Sequence, residues 1–324
     1  MTTITSASDN PITLNISTTG SPGSAGQNGA DGQGFAQVRY SVLNNPLCRI
    51  LKRREPVSVL ESNISFTRNT QASYIDLYGD LFFADNDDLR ENNFGYRFDG
   101  QSENLFLNSL SPVNQDVTLA SNDYTLTVLG AGTVSTTSGN ATEGIPLTFN
   151  DSGLVTFQVS GSVDAVQLES GLKSTSIIKT LSSTAVRSAD ELTFNTVNNL
   201  PDLTKQWSLI FYIDSDYDDF CVIDSTQIRI SKDTNGFWSV NGNTSSATGG
   251  KTIAVTHNGT ATKIYTDGLL SDTLVIGYSN LSTGFARVGA RIDGTRSLFG
   301  SLLDVQFFNV ELNEQEIKLM KGIL

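Results

Sequence analysis

An acidic run, "YIDSDYDDFCVID", has the spacing of a site for a metal ion. It places Asp214, Asp216 and Asp218 at alternate positions, with Asp219 directly after them. Oxygen ligands spaced in this way suit Ca²⁺. An EF-hand loop that began at Asp214 would need glycine where Asp219 stands and glutamate where Ser225 stands, so it is not an EF-hand. We expect either a calcium site with Asp214, Asp216 and Asp218 as ligands or a solvated acidic loop, and we expect no other cofactor.

Three aromatic residues of the C-terminal third are candidates for stacking on the apolar face of a sugar. These are Trp238, Tyr217 and Tyr278. Phe237 and Trp238 are neighbours on a predicted strand and point to opposite faces, so only one of them can face solvent. The alternative for each of the three rings is that it packs in the hydrophobic core and contacts no ligand. Trp207 alternates with apolar residues and is predicted to be core.

The residues needed for catalysis are scarce, so we expect no enzymatic activity. The chain has one histidine, His257, which precedes an Asn-Gly turn and is expected to be solvated. Cys48 and Cys221 are isolated and do not have metal-ligand spacing. The Glu-x-Asp-x-Glu strand of concanavalin-like glycosidases is absent, and the nearest string, "ELNEQE", opens a predicted helix.

Five glycines near the N-terminus keep a strict period of three in "TTGSPGSAGQNGADGQGF". They are Gly20, Gly23, Gly26, Gly29 and Gly32. Glycine at every third position is what a collagen triple helix requires, because only glycine fits at its axis. The alternative is a flexible glycine/serine linker. On the collagen-like interpretation these glycines trimerise the chain, so we expect a homotrimer.

Charge and cysteine content exclude several classes of protein. The 324 residues carry a net charge of −13, with an isoelectric point near 4.4. This balance argues against sequence-independent binding of nucleic acid, which needs excess Lys and Arg, and against an anionic membrane surface. Two distant cysteines indicate free thiols rather than a disulfide framework. No signal peptide or membrane-spanning run is recognised, so we expect assembly in a cytoplasm.

Short alternating strands ended by turn residues predict an all-β protein. We expect an N-terminal strand (1–19), a collagen-like stalk (20–38), a linking region with a short helix and strands (39–112), a small jelly-roll sandwich (113–180) and a larger sandwich (191–324). The helix of the linking region is predicted in "NPLCRILKRRE", where Leu47, Ile50 and Leu51 have helical spacing. A short C-terminal helix is predicted to begin with a capping box formed by Asn313 and Glu316.

Two stretches resemble segments of phage tail fibres. The first, "ISFTRNTQASYIDLYGDLFFA", matches a recurring "FTR…ATYID…G" core at Phe66, Thr67, Arg68, Ala72, Tyr74, Ile75, Asp76 and Gly79. The second resembles the carbohydrate-binding-module-like jelly roll of phage fibres and virion adhesins, at Gln167, Leu168, Glu169 and Gly171, and in the link beyond at Arg187, Ala189 and Asp190. In the tail-fibre family a glycine-glutamate-asparagine-leucine stretch follows the first segment; here Asn104 and Leu105 keep its end, and Ser102 stands where that family has glycine.

The C-terminal third resembles a concanavalin A-like, laminin-G-type sandwich. Its closing "LFGSLLDVQFFNVELNEQEIKLM" looks like the last strand of that fold followed by a short helix. This fold serves many purposes, so the likeness alone does not fix a function.

Together the resemblances imply a bacteriophage virion fibre or receptor-binding protein. Such a protein would be a homotrimer, held to other virion proteins through residues 1–19, and would bind host-surface glycan through the C-terminal sandwich. It would be located in the virion after assembly in the host cytoplasm. Two alternatives stay open: a structural head, neck or collar fibre without receptor binding, and a polysaccharide depolymerase.

Overall fold

A computed structural model describes residues 39–44, 46–52, 64–76, 78–197, 199–215, 217–279 and 284–321. The predicted attachment segment 1–19, the glycine triplets of the predicted stalk 20–38 and the candidate ligand Asp216 lie outside the described residues. The prediction of an all-β protein with a short C-terminal helix is confirmed: the described part of the chain holds 24 strands and two short helices.

The first half of the described chain contains one helix and the following strands, in chain order: α1 (Tyr40–Leu43), β1 (Cys48–Ile50), β2 (Ile64–Thr67), β3 (Ala72–Ile75), β4 (Leu81–Ala84), β5 (Glu91–Asn92), β6 (Gly95–Phe98), β7 (Ser102–Asn104), β8 (Gln115–Leu129), β9 (Thr133–Thr136), β10 (Gly139–Thr142), β11 (Leu147–Ser160) and β12 (Ala165–Ser170).

The second half continues with twelve strands and a helix: β13 (Ala185–Arg187), β14 (Glu191–Asn195), β15 (Gln206–Asp214), β16 (Phe220–Asp224), β17 (Arg229–Lys232), β18 (Phe237–Val240), β19 (Asn243–Thr248), β20 (Thr252–Asn258), β21 (Thr262–Thr266), β22 (Leu269–Leu274), β23 (Phe285–Val288), β24 (Gly300–Phe308) and α2 (Glu314–Lys321).

The C-terminal sandwich consists of two antiparallel sheets that share one hydrophobic core. One sheet has the order β22-β21-β20-β15-β24-β6-β5, and the other has the order β19-β18-β17-β16-β23-β14-β2. Trp207, Leu209 and Phe211 alternate along β15 and are buried in the core between the sheets. The opposite face of β15 presents Ile210, which packs with Ile317 of α2. Both faces of the central strands are therefore covered.

Strands from the predicted linking region belong to both sheets of this sandwich. β1 and β6 pair with β24, and β2 pairs with β14. The helix predicted in "NPLCRILKRRE" is wrong over the described residues, because Cys48–Ile50 is a strand and the helix lies earlier, at Tyr40–Leu43. Cys48 and Ile50 are buried while Arg49 pairs with Asp304 of β24. The tertiary partner thus imposes a period of two on residues whose local spacing favoured a helix.

The middle sheet has its own core and the order β10-β9-β11-β8-β12. It contains the two long strands β8 and β11, which pair antiparallel with a register shift between Asp151 and Gly153. A bridge between Val128 and Glu143 brings the end of β10 back to β8. The sheet therefore curls around a core that includes Phe106, a residue that precedes β8.

The C-terminal helix begins as the capping box predicted. The backbone N–H of Glu316 donates to Asn313 Oδ1 at 3.0 Å, and the backbone N–H of Asn313 donates to Glu316 Oε2 at 2.9 Å. The Arg39 side chain adds a salt bridge of 2.8 Å to Glu316. Both predicted free cysteines, Cys48 and Cys221, are buried and unbridged. None of the described helices has the length and apolarity that a membrane crossing would need.

A buried cluster of opposite charges joins distant parts of the chain. Arg68, Arg90 and Arg187 are at most 1% exposed, and Asp99 and Asp190 at most 3%. Arg68 donates to Asp190 Oδ1 at 3.1 Å, and Arg90 bridges Asp99, at 3.0 Å, and Asp190. Burial opposes ionisation of Asp99, but Arg97, Arg187 and Arg90 outweigh it and hold the pKa of this carboxyl well below its usual range. The segments around β2, β6 and β13 are thus fastened together by ion pairs.

Candidate functional site

A polar cavity of about 280 Å³ lies where several strands of the C-terminal sandwich end. Its wall includes Ile213, Asp214 and Ser215, at the end of β15 and directly beyond it. Phe220, Lys232 and Trp238 line it from β16, β17 and β18, and the segment 249–251 and Asp267 complete it. The cavity therefore borders the acidic run that the sequence marked as a candidate site.

Gly250 is required by the backbone beside this cavity. It has a φ of +80°, a conformation that other residues adopt only at a cost. A Cβ atom here would lie 2.9 Å from the Cβ of Thr266. The adjacent Gly249 also has a positive φ, of 62°, and its carbonyl accepts the indole N–H of Trp238 at 2.9 Å. This turn places Lys251 at the cavity.

Two lysine–aspartate pairs line or adjoin the cavity. The Lys251 ammonium pairs with Asp214, and the Lys232 ammonium lies 2.6 Å from Asp218 Oδ1. The carboxylate of Asp267 accepts the backbone N–H of Lys251 at 3.1 Å, which fixes the start of β20. The charges of both lysines are thereby balanced. The cavity presents both donors and acceptors and has no large excess of one charge.

Trp238 does not present its ring to solvent, contrary to the requirement for stacking on a sugar. Its side chain is 2% exposed and packs edge-on against Phe211 and Phe220, with ring centroids 5.9 Å apart in both pairs. Phe237, its neighbour on β18, is the half-buried member of the pair. The correction follows from the alternation of a strand, since the larger ring faces the core. Trp238 forms the floor of the cavity and anchors the Gly249 turn.

Tyr217 connects the acidic run to the segment after β12. Its hydroxyl accepts the backbone N–H of Ser174 at 2.8 Å, and its ring packs edge-on against Phe299 at 6.4 Å. The ammonium of Lys173 lies 5.0 Å from the centre of the Phe299 ring and donates to the carbonyl of Asp218 at 3.0 Å. These contacts give Tyr217 a structural role, and it does not line the cavity at Lys232 and Lys251.

Tyr278 and His257 pack together with Trp207, which lies near the start of β15. The Tyr278 ring lies 4.8 Å from that of His257 and 5.4 Å from that of Trp207. Burial raises the pKa of Tyr278 to about 12. His257 is 2% exposed, so the expectation of a solvated turn histidine is wrong: it pairs with Trp207 across the strands and contacts Thr262 at 3.1 Å. Burial lowers the pKa of His257.

The candidate calcium ligands have other partners. Asp214 and Asp218 pair with lysines, and the adjacent Asp219 carboxylate lies 2.8 Å from Arg296 Nε. Asp216 lies outside the described residues, and among those described no three carboxylate, histidine or cysteine side chains are grouped to hold a metal. Calcium binding stays a prediction, and it would require Asp214 and Asp218 to exchange a lysine for the ion.

Sequence analysis missed Lys232, Lys251 and Asp267. Nothing in their linear spacing connects them, because Lys251 lies 37 residues from its partner Asp214. The "GGK" string was the one local signal, since paired glycines before a strand mark a tight turn that can present a side chain.

Residues 173–318 match a family model of laminin-G type, described as the Concanavalin A-like lectin/glucanases superfamily. The match covers a little less than half of the chain, and the matched stretch contains the residues of the cavity at Lys232 and Lys251. No curated protein sequence matches the chain.

Solved structures give partial likenesses. The binding domain of botulinum neurotoxin serotype D/C is 14% identical, with 42% of this chain and 41% of that chain covered and a TM-score of 0.32. Trypanosoma rangeli sialidase is 13% identical, with 40% and 25% covered and a TM-score of 0.29. The chain thus spans about two fifths and one quarter of these proteins. At such scores the likenesses carry no argument about function.

Proposed function

We propose that this chain is a bacteriophage virion fibre protein, a homotrimer that binds host-surface glycan through its C-terminal sandwich. The lectin-type domain at 173–318 supports the binding role. The fibre assignment rests on the resemblance of residues 64–84 and 123–194 to phage fibres, and trimerisation rests on the glycine triplets. Residues 1–19 attach the chain to other virion proteins. The virion is assembled in the host cytoplasm.

The observation that carries the glycan proposal is the cavity with its lysine–aspartate pairs. Each hydroxyl of a sugar both donates and accepts, so ammonium and carboxylate groups side by side match it. Lys251 pairs with Asp214 on the wall, and Lys232 on the wall pairs with the adjacent Asp218. The volume of about 280 Å³ is near the lower end of the range of ligand pockets, about 300–1,000 Å³. It suits one sugar residue of a longer glycan.

We also propose that the protein binds without cleaving. A glycosidase needs one carboxyl group that stays protonated as the acid and a second as nucleophile or base. Asp214 and Asp218 are each engaged by a lysine ammonium group. In this arrangement the two side chains are placed to bond the hydroxyls of a sugar, and no geometry in the cavity sets one carboxyl group apart as the acid.

A glycan array probed with the full chain tests the binding role. Binding to a defined set of bacterial surface glycans is expected, and Lys251→Gln should reduce it at least tenfold. Lys205→Gln is the matched control, because Lys205 is an exposed lysine with its own aspartate partner, Asp202. Failure to bind any glycan of the host surface would favour the scaffold alternative. Release of reducing sugar from host capsule would favour the depolymerase.

A further inference from the structure

A second cavity, of about 220 Å³, lies far along the chain from Lys232 and Lys251. Strand β3 contributes Ser73, Tyr74 and Ile75 to its wall, and the end of β8 contributes Leu129. The segment 174–177, Asn92 of β5 and Arg97 of β6 also line it. The cavity is thus enclosed by segments that the buried arginine–aspartate cluster holds together.

Arg97 is the charged side chain in the wall of this cavity. It is 25% exposed, and Asp99 Oδ1 accepts from its Nε at 2.9 Å and lies 2.8 Å from its Nη2. This pairing holds the plane of the guanidinium and leaves Nη1 as a donor that Asp99 does not use. A fixed guanidinium beside a small cavity is suited to bind a carboxylate.

A second guanidinium lies directly behind the same wall. Arg90 Nη1 donates to the carbonyl of Ser73 at 2.8 Å and to the hydroxyl of Ser176 at 2.6 Å, and both serines line the cavity. Arg90 and Arg97 share the carboxylate of Asp99. One ion-pair network of Arg90, Arg97, Asp99 and Asp190 therefore lies behind this wall.

The hydroxyl of Thr127 supplies an independent indication of a ligand. Thr127 lines the cavity from β8, and its Oγ1 is buried without a hydrogen-bond partner among the residues that the structure describes. A buried polar atom without a partner costs free energy, so such atoms are uncommon in native proteins. A ligand oxygen in the cavity would supply the hydrogen-bond partner that the Thr127 hydroxyl lacks.

We propose that this cavity binds a small organic carboxylate of the size of one sugar acid. Arg97 binds the carboxylate, the Thr127 hydroxyl bonds a further ligand oxygen, and Tyr74, Ile75 and Leu129 contact the apolar face of the ring. These apolar walls distinguish the site from one for an inorganic anion, which would need polar groups on all sides. The site is separate from the glycan cavity and does not depend on it.

Calorimetric titration of the full chain with D-galacturonate and N-acetylneuraminate tests the proposal. Saturable binding of at least one of the two acids is expected, with no binding of galactose or of sulfate. Arg97→Gln should weaken the binding at least tenfold. Arg291→Gln is the matched control, because Arg291 is a partly exposed arginine that pairs with Asp293 on another part of the molecule.

Thr127→Val keeps the test decisive if Arg97→Gln fails to fold. This substitution preserves the shape of the side chain and removes the unpartnered hydroxyl, so the free protein should be as stable as wild type or more stable, while acid binding weakens several-fold. Absence of binding at millimolar acid would overturn the proposal. So would equal binding of galactose, a preference for sulfate, or unchanged acid affinity in Thr127→Val.

Discussion

The indole of Trp238 shows how the environment of one residue decides its role. The ring is enclosed by Phe211 and Phe220, and its N–H is bonded to Gly249. We expect Trp238→Ala to lower the free energy of unfolding by about 3–5 kcal/mol, because a large buried ring is replaced by a void. Denaturant titration measures the change. Trp238→Phe should cost less, and an alanine variant as stable as wild type would show that the ring is not in the core.

His257 should make the stability of the protein depend on pH. Burial lowers its pKa in the folded state, so the unfolded chain takes up the proton first as pH falls below about 6.5. Stability is then complete above this pH and decreases as pH falls toward the lowered folded pKa. In general, each unit of difference between the folded and the unfolded pKa corresponds to about 1.4 kcal/mol of stability.

Urea titrations of wild type and His257→Gln between pH 7.5 and 5.5 measure this effect. The chain has one histidine, so the wild-type decrease should be largely absent from the variant. Parallel pH profiles for the two proteins would show that His257 titrates as it does in the unfolded chain.

At the residue scale, the sequence revealed types of group but not their partners. The acidic run was recognised, yet Lys251, which pairs with Asp214, lies 37 positions away. Arg68 and Asp190, both marked by the fibre resemblance, meet across 122 positions. Contacts of this kind depend on the completed sheets, and no local spacing encodes them. The resemblance at Arg68, Arg187 and Asp190 therefore reflects how segments are joined.

At the scale of elements, β24 is the strand on which the C-terminal sandwich depends. It pairs with β15 on one side and with β1 and β6 on the other. Local rules found the C-terminal helix and its capping box, because their signals lie within a few residues. They misassigned β1, because its partner strand β24 is far away in the sequence. Arg49 of β1 and its ion-pair partner Asp304 are 255 residues apart.

The fragment 191–324 should therefore fail to fold well by itself. Without β1 and β6, one edge of the buried strand β24 is exposed, and without β2 the second sheet loses its terminal strand. We expect the fragment to aggregate and to melt without cooperativity, whereas the chain 39–324 should give one cooperative transition. Circular dichroism and size-exclusion chromatography measure both. A monomeric, cooperatively melting fragment would contradict this dependence.

At the scale of the whole molecule, three hydrophobic clusters and one buried ionic cluster hold the described residues together. The glycine triplets, outside those residues, predict three chains in each particle. Light scattering of the full chain should give three times the chain mass of 34.9 kDa. Gly26→Val should weaken the trimer, because a side chain does not fit at the axis of a triple helix, and should leave the sandwich folded. A monomer at micromolar concentration would contradict the trimer.

A crystal structure of the full chain with the glycan that binds most strongly on the array tests the central claim most directly. We expect one sugar residue in the cavity of the C-terminal sandwich, with its hydroxyls hydrogen-bonded to Lys251, Asp214 and Lys232. The same crystals of Lys251→Gln should show that cavity without sugar. A glycan bound elsewhere on the molecule, with this cavity filled by solvent in every crystal, would contradict the account.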